Sequence, residues 1–409
     1  MTDLNVIPSA VVFNIGCKSN QYDCDMITAE LIKRGYLVYD RLEVADIYIT
    51  NTCAVTNTAE SKSRQIISRI RNLNPNAKIY VFGCATVKNA TFYNEAGISF
   101  VGGIDYAEVI RALDSQRIEQ SKSSLIPTSL RTRAYVKIQD GCDNFCSYCV
   151  VSRLRGIPRS KPVSIASQEI ISVSENTSEI VITGINLSLY GRDHNETLEE
   201  LITKIKPVKS RIRLSSFYSK GINRNLLDAL FNLNNFSPHF HLSLQHGDSN
   251  ILKDMQRGYT TDEFQSKVNL IREYDKNAAI TTDIIVGYPT ESDESFIKSC
   301  DFAKAMRFAN IHIFPFSSRP QTPAALLKKV QPEVIKDRCR VLALVNENLK
   351  KNYLTSQLDM NQTVIFEKFG EVSEGYSQYY IRTYAITNKK IAIVRPLALH
   401  KKGIIGDIV

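Results

Sequence analysis

Hydrophobic and polar positions alternate along the first 110 residues in a pattern typical of strands separated by helices. Short apolar runs predict strands, and longer stretches with apolar residues on one face predict helices, in turn at residues 11–15, 25–34, 46–50, 57–72 and 78–82. Strands that alternate with helices form a parallel sheet. The sequence therefore predicts a parallel α/β domain over residues 1–115.

The alternation resumes after a polar, irregular stretch that predicts a linker at residues 116–132. Six further strand signals, separated by helical stretches, lie at residues 134–138, 179–183, 211–215, 239–244, 280–286 and 310–314. They predict a partial (βα)6 barrel over residues 133–355, with its active site at the carboxyl rim. The last segment, 356–409, has alternating apolar residues and several glycines, which predict a small β-barrel-like domain.

Three cysteines, Cys17, Cys53 and Cys84, each follow one of the strand signals in the N-terminal domain. Because ligands gather outside the carboxyl ends of parallel strands, these cysteines should converge on one rim. Three thiolates at one place suit a [4Fe–4S] cluster with one iron left open for an exogenous sulfur. Taken singly, each would more often be a buried core cysteine, so the prediction depends on their shared placement.

The sharpest motif is Cys142-x3-Cys146-x2-Cys149, directly after the first predicted barrel strand. Zinc sites usually take four ligands in pairs, and no second Cys-x-x-Cys completes one. Three thiolates in a tight loop suit a second [4Fe–4S] cluster, whose open iron chelates S-adenosylmethionine (SAM). Reductive cleavage of SAM gives a 5′-deoxyadenosyl radical, which needs a closed barrel to shield it. The remaining cysteines have no such context and are predicted to be structural: Cys24, Cys300 and Cys339.

The composition is that of an ordinary globular protein, with 43% hydrophobic and 23% charged residues. No secretory signal is evident, and the apolar runs are too short to span a bilayer, so we expect a cytoplasmic protein without a membrane partner. Nine cysteines in such a chain favour metal or redox chemistry over disulfides. The net charge of +9 fits either a polyanionic partner or a mildly basic enzyme.

These motifs resemble the methylthiotransferase family over nearly the full chain. The matching segments are residues 16–22, 51–56, 83–84, 141–151, 242–245, 255–260, 283–287 and 318–324. Within the family, residues 136–149 and 182–186 are most similar to the MtaB-type branch, which modifies N6-threonylcarbamoyladenosine beside the tRNA anticodon. The chain departs from the family pattern near the predicted rim at Ser152, Phe217, Tyr218, His246 and Thr290.

The resemblance implies a three-cysteine N-terminal domain, a radical-SAM barrel and a TRAM-like RNA-binding domain. It implies two [4Fe–4S] clusters and SAM as cofactors, and the tRNA anticodon stem-loop as partner. It also implies an electron donor such as flavodoxin or ferredoxin, while the sulfur donor is not identified. The implied reaction is methylthiolation of C2 of N6-threonylcarbamoyladenosine at position 37 of tRNA, by radical hydrogen abstraction and transfer of a cluster-bound methylthio group. Hydrogen abstraction needs no side-chain acid or base, so no catalytic residue beyond the cluster ligands is predicted.

Candidates for contacts with SAM or substrate lie at or near the strand ends, where hydrogen-bonded core residues are the alternative: Tyr148, Thr183, Gly184, Ser215, Gln245, Arg257 and Asp283. Two basic runs flank the predicted clusters and predict phosphate contacts with RNA, although charge runs are more often solvated faces: Lys62, Arg64, Arg69 and Arg71, then Arg153, Arg155, Arg159 and Lys161. In the C-terminal segment, Tyr376, Tyr379 and Tyr380 are either RNA contacts or barrel core.

Three alternatives remain open at the level of sequence. Two are enzymes of the same family, acting on isopentenyladenosine in tRNA or on an aspartate of a ribosomal protein. The third is an RNA-binding module in which the clusters are only structural, and it differs from the enzymes because such a protein would not cleave SAM.

Overall fold

The N-terminal part of the fold is a five-stranded parallel sheet, seen in a computed structural model that describes residues 7–114 and 132–409. Its strands are β1 (Ser9–Asn14), β2 (Leu37–Tyr39), β3 (Ile47–Thr52), β4 (Lys78–Gly83) and β5 (Phe100–Val101), in the spatial order β2-β1-β3-β4-β5. Its helices are α1 (Lys18–Lys33), α2 (Asn57–Leu73), α3 (Cys84–Lys88), α4 (Ala90–Glu95) and α5 (Tyr106–Asp114). The edge strands β2 and β5 are too short to give a sequence pattern of their own.

The middle part contains the six predicted strands as β6 (Arg133–Asp140), β8 (Glu179–Gly184), β9 (Arg211–Leu214), β11 (His239–Gln245), β12 (Ala279–Val286) and β13 (Asn310–Pro315), with the short strands β7 (Arg159–Ser160) and β10 (Ser216–Phe217). They form two four-stranded sheets, β7-β6-β8-β9 and β10-β11-β12-β13. A bridge from Ile212 to Phe236 lies close to the junction of the two sheets.

Helices follow these strands and cover the outer face of the sheets. They are α6 (Val151–Arg155), α7 (Val163–Ser174), α8 (Leu198–Lys204), α9 (Arg224–Phe231), α10 (Ser249–Asp254), α11 (Thr261–Tyr274), α12 (Asp293–Met306) and α13 (Pro332–Ser356). The largest apolar core of the described residues lies between these strands and helices. The apolar core that stabilises the partial barrel therefore lies between its strands and the surrounding helices, so polar side chains can occupy its interior.

The last part is a closed barrel of β14 (Gln362–Lys368), β15 (Ser373–Ser377), β16 (Arg382–Ala385), β17 (Ile391–His400) and β18 (Gly403–Ile408). Arg211 fastens it to the middle part by donating to the backbone oxygens of Tyr376 and Thr363, at 2.9 and 2.7 Å. The Tyr376 and Tyr380 rings stack on each other, and the Arg213 guanidinium lies 3.9 Å from the centre of the Tyr380 ring. These two tyrosines therefore serve the contact between the two parts.

Buried charged pairs join the N-terminal sheet to the barrel. Lys137 on β6 reaches Asp23 on α1 at 2.5 Å, and the Asp23 side chain is buried. Arg319, which follows β13, pairs with Glu60 on α2 at 3.1 Å. Because breaking a buried pair leaves an uncompensated charge, these contacts hold the two parts in one register.

The predicted fold class is confirmed: a parallel α/β domain, a partial barrel and a small closed β-barrel occur in the predicted order. The predicted linker at 116–132 lies outside the described residues except for Thr132. Within the described ranges, none of the helices is both long and apolar enough to cross a membrane.

Candidate active site

The loop that carries Cys142, Cys146 and Cys149 begins where β6 ends. Gly141 has φ +77°, and a Cβ atom there would lie 2.1 Å from the backbone oxygen of Ile157. Only glycine fits this turn, because other residues would meet both the unfavourable φ and the clash. The turn directs the chain from the strand end into the cysteine loop.

Donors surround the sulfurs of this first trio. The Arg257 Nη1 donates to Cys146 Sγ at 3.3 Å, and the backbone N–H of Val151 donates to Cys149 Sγ at 3.4 Å. Burial raises the pKa of Cys149 to about 11, and repulsion from the other two thiolates adds to this. A cationic metal centre would reverse that shift, because thiol ligands bind metal only after losing their protons.

Arg257 is a buried cation for which the described part of the chain provides no carboxylate partner. Its other donors go to neutral oxygens: the Tyr259 hydroxyl at 3.1 Å and the backbone oxygen of Ser243 at 2.6 Å. A buried charge needs compensation. Three cysteine thiolates around an iron–sulfur cluster would supply negative charge at Cys146 Sγ, the atom to which Arg257 donates.

The second trio lies at the rim of the N-terminal sheet. Cys17 follows β1 by three residues, and Cys53 and Cys84 directly follow β3 and β4; β3 lies between β1 and β4 in the sheet. Burial raises the pKa of Cys53 to about 11, and repulsion from Cys84 and Cys17 contributes to the shift. Burial acts to lower the pKa of the Arg155 guanidinium, but the neighbouring Cys84 and Asp140 raise this pKa well above its usual value.

The spacing of the sulfurs can be compared with the spacing that a single zinc ion or an iron–sulfur cluster would need. Thiolates that share one zinc ion lie about 4 Å apart, because each Zn–S bond is about 2.3 Å. Among the described residues, no three cysteine sulfurs lie within 4.8 Å of one another. In a cubane each sulfur binds a different iron, which needs a wider spacing. In each trio, at least one sulfur–sulfur distance is therefore longer than ligation of a single zinc ion requires.

A cavity of about 350 Å³ lies at the carboxyl ends of the barrel strands. All three cysteines of the first trio line it, together with Val55 and Thr56, which come just after Cys53. The cavity therefore extends from one cysteine trio toward the other.

The predicted contact residues divide into two groups around this cavity. Four of them line it: Tyr148, Gln245, Arg257 and Asp283. Thr183, Gly184 and Ser215 are not among the lining residues, whereas their neighbours Ile185, Asn186 and Ser216 are. The hydroxyl oxygens of Thr183 and Ser215 are buried without a hydrogen-bond partner.

Aromatic walls of the cavity were not predicted from sequence. Tyr218, Phe314 and Phe316 line it, and the Tyr218 hydroxyl donates to the backbone oxygen of Arg257. Each of these residues lies at or just past a strand end, the same signal that marked the cysteines. Their rings give the space beside the first trio an apolar wall.

The structure corrects the assignment of Arg155 to RNA binding. Arg155 is 2% exposed, and its guanidinium donates to both carboxylate oxygens of Asp140 at 2.9 Å and to Asn20 at 2.8 Å. Lys161 likewise forms an ion pair with Glu169 and donates to the Tyr22 hydroxyl. These two cations lie between the N-terminal sheet and the barrel. The sequence alone does not show which residues of a basic run are buried in such an interface and which are exposed to solvent.

The other predicted RNA-binding residues lie nearer the surface. Arg71 is engaged by backbone oxygens, including that of Ala77 at 2.9 Å, and Arg64 pairs with Glu60 at 3.3 Å. Four side chains remain exposed: Lys62, Arg69, Arg153 and Arg159.

Replacing Arg155 by glutamine (Arg155→Gln) is expected to destabilise the protein by about 3 kcal/mol, because Asp140 would keep only one of its two cationic partners, Lys137, and Asn20 would lose a donor. In calorimetry of the full chain, this should lower the transition of the N-terminal part by about 6 °C or more. Arg153→Gln, an exposed arginine on the same helix, is the control and should change stability by less than about 0.5 kcal/mol. Equal effects of the two variants on stability would contradict the buried structural role of Arg155.

Comparisons with known proteins agree with this geometry. Residues 136–303 match the Radical SAM superfamily, and residues 10–101 match the Uncharacterized protein family UPF0004. The radical S-adenosylmethionine methyltransferase TsrM from Kitasatospora setae shares the fold, with a TM-score of 0.56 and 15% identity over 78% of this chain and 77% of that one.

Curated relatives cover nearly the whole chain. The threonylcarbamoyladenosine tRNA methylthiotransferase MtaB of Thermotoga maritima is 35% identical over 96% of this chain and 95% of that protein. Its namesake in Bacillus subtilis is 33% identical over 90% and 88%. The tRNA-2-methylthio-N(6)-dimethylallyladenosine synthase of Thermodesulfovibrio yellowstonii is 31% identical over 96% and 97%. The chain therefore belongs to the methylthiotransferase family of radical-SAM enzymes, which use SAM and [4Fe–4S] clusters.

Proposed function

We propose that this enzyme methylthiolates C2 of N6-threonylcarbamoyladenosine at position 37 of tRNA. The observation that carries the proposal is that one cysteine trio lines a cavity which Val55 and Thr56, just after Cys53 of the other trio, also line. One trio suits SAM cleavage, and the other suits storage of the sulfur that is transferred. The substrate rests on the relatives named for threonylcarbamoyladenosine, which are 32–35% identical to this chain.

Cys142, Cys146 and Cys149 would hold the cluster that binds SAM. When bound, this cluster supplies one electron that cleaves SAM to methionine and the 5′-deoxyadenosyl radical, which removes hydrogen from C2 of the base. Arg257 holds Cys146 and balances the negative charge of the thiolates. Tyr148, Gln245 and Asp283 line the space for SAM and the base. We assign Thr183, Gly184 and Ser215 to positioning of the wall residues next to them.

Cys17, Cys53 and Cys84 would hold the second cluster, which would carry the sulfur; one SAM molecule would methylate this sulfur and leave as S-adenosylhomocysteine, and a second SAM would yield the radical. Asn20 accepts a hydrogen bond from Cys17 at 3.1 Å and also accepts one from Arg155, so one amide connects the trio to the barrel side of the interface. Tyr218, Phe314 and Phe316 exclude water from the reacting base.

The anticodon stem-loop would approach the face that carries Lys62, Arg69, Arg153 and Arg159. These exposed cations come from helix α2 after Cys53 and from the segment after Cys149, so they flank both trios. Bases in a loop are unstacked and can enter a pocket, while phosphate contacts supply salt-dependent affinity. In the C-terminal barrel, which we take as TRAM-like, the exposed lysines Lys389, Lys390, Lys401 and Lys402 would supply further phosphate contacts. Flavodoxin or ferredoxin is the proposed type of electron donor.

Loss of the gene is expected to remove 2-methylthio-N6-threonylcarbamoyladenosine from cellular tRNA and to leave the unmethylthiolated nucleoside in its place. Mass spectrometry of tRNA nucleosides measures both species. Complementation with the native gene should restore the product, whereas the Cys146→Ala gene should not. An unchanged content of the product in cells lacking the gene would remove this substrate.

A second candidate substrate is dimethylallyladenosine in tRNA, because a relative named for it is 31% identical over most of the chain. The same nucleoside profile decides between them: the alternative predicts loss of the methylthiolated dimethylallyladenosine and an unchanged threonylcarbamoyl species.

A further inference from the structure

Two histidines and an aspartate meet inside the barrel on three neighbouring strands. His241 on β11 lies with Nε2 3.1 Å from Asp283 Oδ2, and His312 on β13 lies with Nδ1 3.2 Å from Asp283 Oδ1. One donor atom of each residue lies within 4.8 Å of the other two. Among the described residues, this is the one group of three histidine, cysteine or acidic side chains that is so closely spaced.

Strand register brings the three side chains together. Asp283 is directly opposite His312 in the pairing of β12 with β13, and His241 is opposite Thr281, two residues before Asp283 and on the same face of β12. The two imidazole rings stack with their centres 5.2 Å apart, and each points a ring nitrogen at one oxygen of the same carboxylate. The arrangement is therefore built into the sheet and does not depend on a loop.

The His241 ring is fixed from behind by a hydroxyl. Its Nδ1 lies 2.9 Å from Thr281 Oγ1, which is also 3.0 Å from His239 Nε2. Histidines that bind metals are usually oriented in this way, with the second ring nitrogen held by an outer partner. This contact directs His241 Nε2 toward the space that it shares with Asp283.

The group is accessible from both sides. Asp283 lines the cavity beside the first cysteine trio, and the His312 side chain is 52% exposed. An ion held by the three residues would therefore keep open positions for water or for an oxygen of the substrate.

We propose that His241, Asp283 and His312 bind a divalent first-row transition metal ion, such as Fe²⁺ or Zn²⁺, at the wall of the active-site cavity. Two imidazoles and one carboxylate are a ligand set that suits these ions and leaves coordination positions free. The ammonium group of Lys18 is close enough to act on Asp283. The positive charge of Lys18 opposes a second cation nearby, so we expect moderate affinity. We also expect the site to prefer transition metal ions over Mg²⁺, because Mg²⁺ favours oxygen ligands.

The test uses Co²⁺ as the probe with the full-length enzyme, anaerobically reconstituted so that its cysteine trios already carry iron. Cobalt is added after removal of loose metal, the enzyme is dialysed to equilibrium against a fixed concentration of Co²⁺, and cobalt per chain in excess of the dialysate is measured by mass spectrometry. The EPR spectrum of high-spin Co²⁺ identifies the ligand environment, because oxidised [4Fe–4S]²⁺ clusters are diamagnetic. The native enzyme is expected to retain about one cobalt per chain with nitrogen and oxygen ligands.

His312→Gln and Asp283→Asn are the test variants, and both should reduce cobalt retention about tenfold or more. His194→Gln is the control, because His194 is a partly exposed histidine outside the group and should leave retention unchanged. Iron content and circular dichroism report whether each variant is folded. If one test variant does not fold, the other still tests the proposal. Absence of cobalt from the native enzyme, or unchanged retention in a folded test variant, would overturn the proposal.

Discussion

Cys146→Ala is expected to reduce the release of 5′-deoxyadenosine from SAM by more than about 100-fold. Cys146 is buried in the centre of its loop, and Arg257 donates directly to its sulfur. Its removal would leave two ligands for the cluster and an uncompensated guanidinium. The measurement is an anaerobic incubation with SAM and dithionite, followed by quantification of 5′-deoxyadenosine.

Iron analysis gives this prediction a second readout. The native enzyme should hold about eight irons in two clusters, and Cys146→Ala about four. Cys300→Ala is the matched control, because Cys300 is a buried cysteine on α12 outside both trios. It should keep its iron and its SAM cleavage at a stability cost of about 1 kcal/mol. Full cleavage by Cys146→Ala would exclude Cys146 as a cluster ligand.

Cys53→Ala is expected to separate the two halves of the reaction. SAM cleavage should stay within a few-fold of the native rate, because the trio that lines the cavity is unchanged: Cys142, Cys146 and Cys149. The methylthiolated nucleoside should fall by more than about 100-fold, because the sulfur would no longer be held at the rim of the N-terminal sheet. One reaction with unmodified tRNA, with both products measured by mass spectrometry, tests both statements.

Cys24→Ala is the control for this variant. Cys24 is buried in α1, where its thiol donates to the backbone oxygen of Phe13 at 3.5 Å, and it belongs to neither trio. It should retain both products. Methylthiolation by Cys53→Ala at the native rate would remove the second cluster from the mechanism, and loss of SAM cleavage in the same variant would show that the two trios do not work separately.

The placement of cysteines just after strand ends could be predicted from sequence because the signals are local. A strand ends where its apolar run ends, and Cys53 and Cys84 directly follow such ends. Parallel strands then place these ends on one rim whatever the side chains are. The spacing of Cys142, Cys146 and Cys149 is likewise contained in a single loop.

Which residues face the cavity was beyond the sequence pattern, because a strand presents successive residues to opposite sides. Ser215 was predicted as a contact, yet it is Ser216 that lines the cavity. A shift of one residue reverses the side, and the break between β9 and β10 at Ser215 sets that register.

Charge behaves in the same way on helices. Arg153 and Arg155 lie two residues apart on α6, so they point in different directions. One is exposed, and the other is buried against Asp140 and Asn20. A run of basic residues in the sequence does not show which of its members meets a carboxylate from another part of the chain.

By itself, then, the sequence determined the order of strands and helices and the six cysteines at their ends, because both depend on neighbours along the chain. Only the tertiary structure decided how Arg257 meets Cys146 across 111 positions, and how His241, Asp283 and His312 meet within one sheet. These contacts depend on strand register and on the packing of distant segments, for which no local pattern of residues carries information.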